Sequence, residues 1–242
     1  MLEGPEKVTL FLGNYGSGKT EVAVNYALHL AAGRPAGCVA LADLDLVNPY
    51  FRSREPRDLL EAAGVRVILP GREYHNADLP ILVPEVRASL TASTAHVILD
   101  VGGDDAGARV LGALTDVLPA GSYQALMVLN GSRPFTGDVA GIERMRRDIE
   151  RAGRIRFTGF VSNTHLMGET TVETILSGHR LALAAAEATG LLLEFVCAPA
   201  ELVAEVAAQV REPVLPIVRY LAPAWMMQTG GQNSLGKELF RL

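Results

Sequence analysis

The sequence predicts an α/β domain whose parallel sheet is covered by helices on both faces, and three observations predict it. Short apolar runs alternate with helical patterns from Val8 to Val210. The runs are mostly apolar rather than apolar at every second residue, as strands buried on both sides require. A glycine-rich stretch separates the first run from the first helical pattern, the order of a strand, a loop and a helix.

The elements follow in order. "VTLFL" (Val8–Leu12) is a short buried strand. Val22, Ala23, Tyr26, Ala27 and Leu30 then recur at helical spacing, so a helix runs over Thr20–Ala32 until Gly33 and Pro35 stop it. Further strands are expected at Cys38–Ala42, Val65–Leu69, Val97–Leu99, Ala125–Leu129, Gly159–Val161 and Leu192–Val196. Helices between and after them cover Arg57–Ala63, Leu82–Ala92, Ala106–Leu118, Val139–Ala152, Val172–Thr189 and Glu201–Val210. Alternation of this kind implies right-handed crossovers and a mostly parallel sheet of about seven strands.

The 242 residues show no repeat and no low-complexity linker, so residues 1–242 read as one domain, with 222–242 as a loosely docked tail. A net charge of −5 offers no broad basic field, so no nucleic-acid partner is expected. The densest basic run, Arg144 to Arg156, is laced with acids at i,i+4 spacing and reads as a solvated helix face. Cys38 and Cys197 stand far apart in apolar runs and read as reduced core residues. Neither a signal peptide nor an 18-residue apolar run is read, so a cytoplasmic protein without a membrane span is expected.

Between strand and helix stand Gly13, Asn14, Tyr15, Gly16, Ser17, Gly18, Lys19 and Thr20, which fit G-x-x-x-x-G-K-[ST], the phosphate-binding P-loop. The glycines let the backbone approach an anion, and the helix behind them presents free N–H groups and the positive end of its dipole. Lys19 is placed to reach the β- and γ-phosphates, and the Thr20 hydroxyl to join a Mg²⁺ shell. Two further stretches fall at expected strand ends. After the second strand, "ADLDLVNPYFRSRE" carries Asp43 and Asp45, which suit a magnesium nucleotide: one holds a metal-bound water, the other orients the attacking water. The loop that follows, with Asn48, Pro49, Tyr50, Phe51 and Arg52, has the composition of a contact surface. In "HVILDVGGDDAG" the strand ends in Asp100, a carboxylate suited to Mg²⁺. Gly102 and Gly103 let a backbone N–H approach the γ-phosphate, and Asp104 or Asp105 caps the next helix.

Taken together, the P-loop at 13–20, Asp-Leu-Asp at 43–45 and Asp-Val-Gly-Gly at 100–103 resemble the SIMIBI class of P-loop NTPases, and within it the MinD/ParA/CobQ group. The resemblance spans about residues 7–205 by motif order. It implies a Rossmann-like parallel sheet, hydrolysis of Mg·ATP, and a protein partner or nucleotide-dependent homodimer whose contacts change with the nucleotide. It assigns Asp43 a place near Mg²⁺ and Asp45 the positioning of water. It also assigns Asn163, in "GFVSNTH", to the base, and Pro199, in "FVCAPAEL", to the loop lining the base pocket. Many members carry a lysine where this chain has Asn14, so a cross-subunit lysine is not expected here.

The base reads as adenine. Guanine recognition through Asn-Lys-x-Asp needs an acid, and Asn163-Thr164-His165-Leu166 supplies none. An asparagine amide can pair with adenine's amino group and ring nitrogen, though Asn163 also fits a plain turn residue. ATP and Mg²⁺ are therefore the expected ligands. The leading function is an ATPase switch acting on a partner protein. The alternatives are a metallocentre-maturation NTPase, or a small-molecule ligase or kinase. For the last, the polar loop Gly71–Pro80 with His75 would supply the acceptor pocket.

Overall fold

β1 (Val8–Leu12) lies near the middle of an eight-stranded sheet, flanked by strands from both halves of the chain. The computed structural model describes residues 7–45, 54–68, 82–91, 95–103 and 105–220. The other strands are β2 (Val39–Leu44), β3 (Val65–Ile68), β4 (His96–Val101), β5 (Gln124–Leu129), β6 (Gly159–Ser162), β7 (Leu192–Pro199) and β8 (Val214–Ile217). Their order is β3-β2-β4-β1-β5-β6-β7-β8, and every pairing is parallel. The helices are α1 (Lys19–Ala31), α2 (Arg54–Ala62), α3 (Leu82–Thr91), α4 (Asp105–Gly112), α5 (Val139–Gly153), α6 (Val172–Thr189) and α7 (Val203–Ala207).

Alternation along the strands divides the core. Phe11, Leu41, Ile98, Val128 and Phe195 face α1 and α2. Leu10, Leu12, Leu99, Met127 and Phe160 face the opposite way, against side chains of α4, α5 and α6. On the α1 side Tyr26 stacks on Phe195 at 5.8 Å and meets Phe11 edge-on at 5.3 Å. All three rings are buried, so truncating Phe11 to alanine should cost about 3 to 5 kcal/mol. This packing fixes β1 against α1 and therefore fixes the loop between them.

The sheet has one strand more than expected. β8 is the strand that the sequence reading did not include, and it carries Pro216, which cannot donate to a ladder. It is tolerated because β8 is the edge strand. β4 continues to Val101 and β7 to Pro199, so Asp100 lies inside its strand rather than at its end. α4 stops at Gly112, where the expected helix ran to Leu118. The last expected helix is a 3₁₀ turn over Ala200–Leu202 followed by the short α7. Glu150 departs from the solvated face read for its run: it is buried, pairs with Arg146, and accepts the Phe157 N–H at 3.0 Å ahead of β6. The loop with Asn48, Pro49, Tyr50, Phe51 and Arg52, the loop Gly71–Pro80 with His75, Asp104 and the tail from Ala222 lie outside the described residues.

Candidate functional site

In a parallel sheet the ligand crevice opens at the carboxyl ends of the strands. There the loop from β1 turns into α1, with Gly18 at φ +81 immediately before Lys19. A side chain on Gly18 would strike the Asn163 amide and stand 3.2 Å from His165 Nε2, so the glycine permits a left-handed turn and a close approach together. Among the described residues no side chain caps the start of α1, which leaves its first N–H groups facing the crevice.

Lys19 is nearly buried and its Nζ stands 2.8 Å from Asp45 Oδ2. Burial works to lower the ammonium's pKa, yet Asp100, Asp45 and Asp43 together hold it above its ordinary value. Asp45 sits just past the end of β2, and its backbone N–H donates to Asp43 Oδ1 at 2.9 Å. Asp43 is the register partner of Asp100 across β2 and β4, so both carboxylates leave the same face of the sheet. Asp100 is fully buried, and neither of its oxygens has a hydrogen-bond partner among the described residues. Burial pushes its carboxyl up to about 6, against the pull of the Lys19 ammonium and the Thr20 hydroxyl beside it. An orphaned buried carboxylate next to a P-loop hydroxyl fits a divalent cation, or a water held by one.

The opposite wall comes from β5 to β8. Asn163, just past β6, donates Nδ2 to Ser17 O at 2.8 Å, so its amide braces the P-loop. Asn130 and Arg133, after β5, both reach Gly16 O, at 3.4 and 3.1 Å. Beyond β8, Val218 pairs with the side chain of Asn25 in α1. Asn25 Nδ2 donates to Val218 O and Oδ1 accepts the Val218 N–H, each at 2.9 Å. Glu21 Oε1 accepts the Tyr220 N–H at 2.6 Å. This clamp fixes Arg219, which lies between its two points, as part of the site.

These walls enclose a cavity of about 710 Å³, within the range of small-molecule sites. Lys19, Thr20 and Asp45 line one end, and Asn163, His165, Pro199, Glu201 and Arg219 line the rest. Burial, reinforced by the charges of Arg133 and Arg219, lowers His165 to about 4, so its imidazole is neutral near pH 7. Tyr15 also borders the cavity and is 74% exposed. Asn14 and Ser17 are buried, and Asn14 Oδ1 and Ser17 Oγ have no hydrogen-bond partner among the described residues. Gly103 stands apart from this cavity. It packs its backbone on Gly13 and Asn14, where a Cβ would collide with the Gly13 carbonyl, and borders a second cavity of about 280 Å³ beside α5.

Sequence reasoning missed Asn130, Arg133, Glu201 and Arg219. Asn130 and Arg133 lie in "LNGSRPF", directly after an expected strand, and that position was the available signal.

No family model matches the sequence, and no curated protein matches it. Among solved structures, the chloroplast FtsY of Physcomitrella patens aligns at TM-score 0.53 and 16% identity, over 80% of this chain and 59% of that one. FtsY from Mycoplasma mycoides gives 0.51 and 16%, over 80% and 60%. The signal recognition particle receptor FtsY from Elizabethkingia anophelis gives 0.52 and 16%, over 80% and 59%. The chain thus spans about three fifths of the length of these structures. At this identity the likeness shows the fold alone, a parallel α/β sheet covered by helices.

Proposed function

We propose that the protein is a Mg·ATP-dependent switch, an ATPase of the MinD/ParA-like kind whose surface answers to the γ-phosphate and acts on a protein partner. One observation carries the reading: a P-loop lysine held between Asp45 and the orphaned Asp100, at the mouth of a nucleotide-sized cavity. Phosphate oxygens compete with Asp45 for Lys19, and the N–H groups at the start of α1 receive them. Thr20, Asp43 and Asp100 are the residues that would hold Mg²⁺, which when bound neutralises charge building on the phosphates. Asp45, released from Lys19, orients the attacking water. Gly103, packed on the Gly13 and Asn14 backbone outside the cavity, answers to the γ-phosphate through the P-loop. The exposed rings of Tyr15 and Phe135, on loops after β1 and β5, offer contact area to a partner or a second copy.

The absence of an acid in Asn163-Thr164-His165-Leu166 supports adenine. Guanine has one observation in its favour: Glu201, a carboxylate lining the same cavity. Calorimetry of Mg·ATP against Mg·GTP decides between them, and tighter GTP binding would withdraw the adenine assignment. Hydrogen exchange tests the switch. Asp45–Glu55 and Gly102–Gly107 should be more protected with a non-hydrolysable ATP analogue than with ADP, with β5 unchanged as the control. Equal protection would favour a ligase or kinase on the same scaffold.

A further inference from the structure

Arg133 is held over the P-loop more firmly than a brace requires. Past the end of β5 the chain winds tightly: Asn130 O accepts from the Arg133 N–H at 3.0 Å and from Thr136 Oγ1 at 2.7 Å. Asn130 Oδ1 accepts the Ser132 N–H at 3.0 Å, and the Gly131 N–H donates to Thr164 Oγ1 at 2.9 Å. The backbone beneath Arg133 is therefore fixed from both β5 and β6. Its side chain then crosses to the P-loop, where Nε donates to Gly16 O at 3.1 Å.

Gly16 has φ +79, and a Cβ there would stand 2.9 Å from Arg133 Nε and 3.1 Å from its guanidinium carbon. The guanidinium thus lies directly against the loop that would wrap the phosphates. Among the described residues only Nε is used, and the two terminal nitrogens donate no hydrogen bond. Asn130 already reaches the same Gly16 carbonyl, so a brace alone does not need a cation there. Arg133 also borders the cavity that Lys19 and Thr20 line. A fork of N–H donors in a fixed plane matches two phosphate oxygens at once.

The geometry points to Arg133 as a phosphate-chain ligand of the bound nucleotide, supplied in cis from the loop after β5. The inference rests on the nucleotide reading of the cavity. It gives the site a second fixed cation besides Lys19. His165, neutral near pH 7 and facing both Arg133 and Arg219, adds no competing positive charge.

The test measures binding of Mg·ATP, Mg·ADP and adenosine, the last by competition, to the native protein, Arg133→Met and Arg133→Lys. Melting curves without nucleotide confirm folding of each variant. Arg133→Met should weaken ATP and ADP about ten- to a hundredfold and leave adenosine unchanged, with Arg133→Lys recovering part of the loss. Unchanged ATP and ADP affinity, or an equal loss for adenosine, would overturn the inference and leave Arg133 a brace. Should Arg133→Met not fold, Arg133→Lys alone decides, by a selective loss for the phosphorylated ligands or by none. A native protein that binds no nucleotide would sink the reading of the cavity itself, and the role of Arg133 with it.

Discussion

On the β2–β4 side of the P-loop, three carboxylates gather around one lysine, and the deepest of them has no hydrogen-bond partner among the described residues. On the β5–β8 side, amides and a guanidinium brace the same loop through its carbonyls, at 2.8 to 3.4 Å. The first wall stores unmet demand: its buried charge is costly until a cation or phosphate arrives. The second wall is satisfied where it meets the loop and holds it in shape, so it is preorganised, with the terminal nitrogens of Arg133 left for a ligand. The proposed switch needs both, one side that changes on binding and one that does not. The contrast can be broken or sharpened by four substitutions, ordered by their effect on stability.

Lys19→Ala strikes the demanding wall and should have the largest effect. The sequence alone places this lysine against phosphate rather than core, with no cost to folding. In the structure it compensates buried Asp45 and Asp100, so removing it strands their charges. Nucleotide binding should be lost, and unfolding in denaturant should show about 3 to 5 kcal/mol of destabilisation. Adding Asp45→Ala should return part of that stability without restoring binding. A Lys19→Ala protein as stable as the native one would mean that the acids do not depend on the lysine.

Asn25→Leu strikes the satisfied wall. Asn25 is fully buried in α1 and stands in for a strand partner, pairing both backbone groups of Val218. An apolar replacement leaves those groups unpaired, at about 2 to 4 kcal/mol. Because the clamp fixes Arg219, ATP affinity should also fall several-fold. Normal affinity in the folded variant would show that the segment after β8 is not part of the site.

These two residues also mark how far the sequence could be read. That Lys19, Thr20, Asp43 and Asp100 gather at one place was legible, because a motif fixes the spacing of the first two and apolar strands lead to the others. The fold was legible for the same reason, since strands buried on both faces alternate with helices and leave few topologies. Asn25 was not legible. An asparagine at one position of a helix reads as solvent-facing, and its partner lies 193 residues away in a proline-bearing segment that did not read as a strand. Arg133 and Asn130 were hidden likewise, because their contacts with Gly16 cross from one strand end to another. Spacing along the chain reports local geometry, whereas contacts between strand ends follow from the sheet order.

His165→Gln tests whether the satisfied wall stays quiet in acid. The His165 pKa falls from 6.5 to about 4 on folding, so the unfolded chain takes up a proton first as pH drops. Stability is therefore complete above pH 6.5 and declines as pH falls toward 4, by about 1 to 2 kcal/mol after allowance for partial solvent access. Glutamine cannot titrate, so the variant should lose less stability over that window. Parallel melting profiles for both proteins between pH 7 and 4 would show that His165 is not the group responsible.

Asp100→Asn should have the smallest effect on stability, and it alone carries the opposite sign. The native carboxylate is fully buried without a hydrogen-bond partner among the described residues, so its ionised form is costly before any ligand arrives. An amide of nearly the same shape removes that charge. Lys19 loses one of its opposing charges but keeps its ion pair with Asp45. The balance should leave the nucleotide-free protein about 1 kcal/mol more stable, read as a higher melting temperature at pH 7. Magnesium should then no longer strengthen nucleotide binding, because a neutral amide is a poor ligand for a hard cation. Gain in one measurement and loss in the other is what separates a wall built for a ligand from one built for the fold. A variant that melts lower and still binds ATP with full magnesium dependence would put Asp100 among the structural residues and erase the contrast between the two walls.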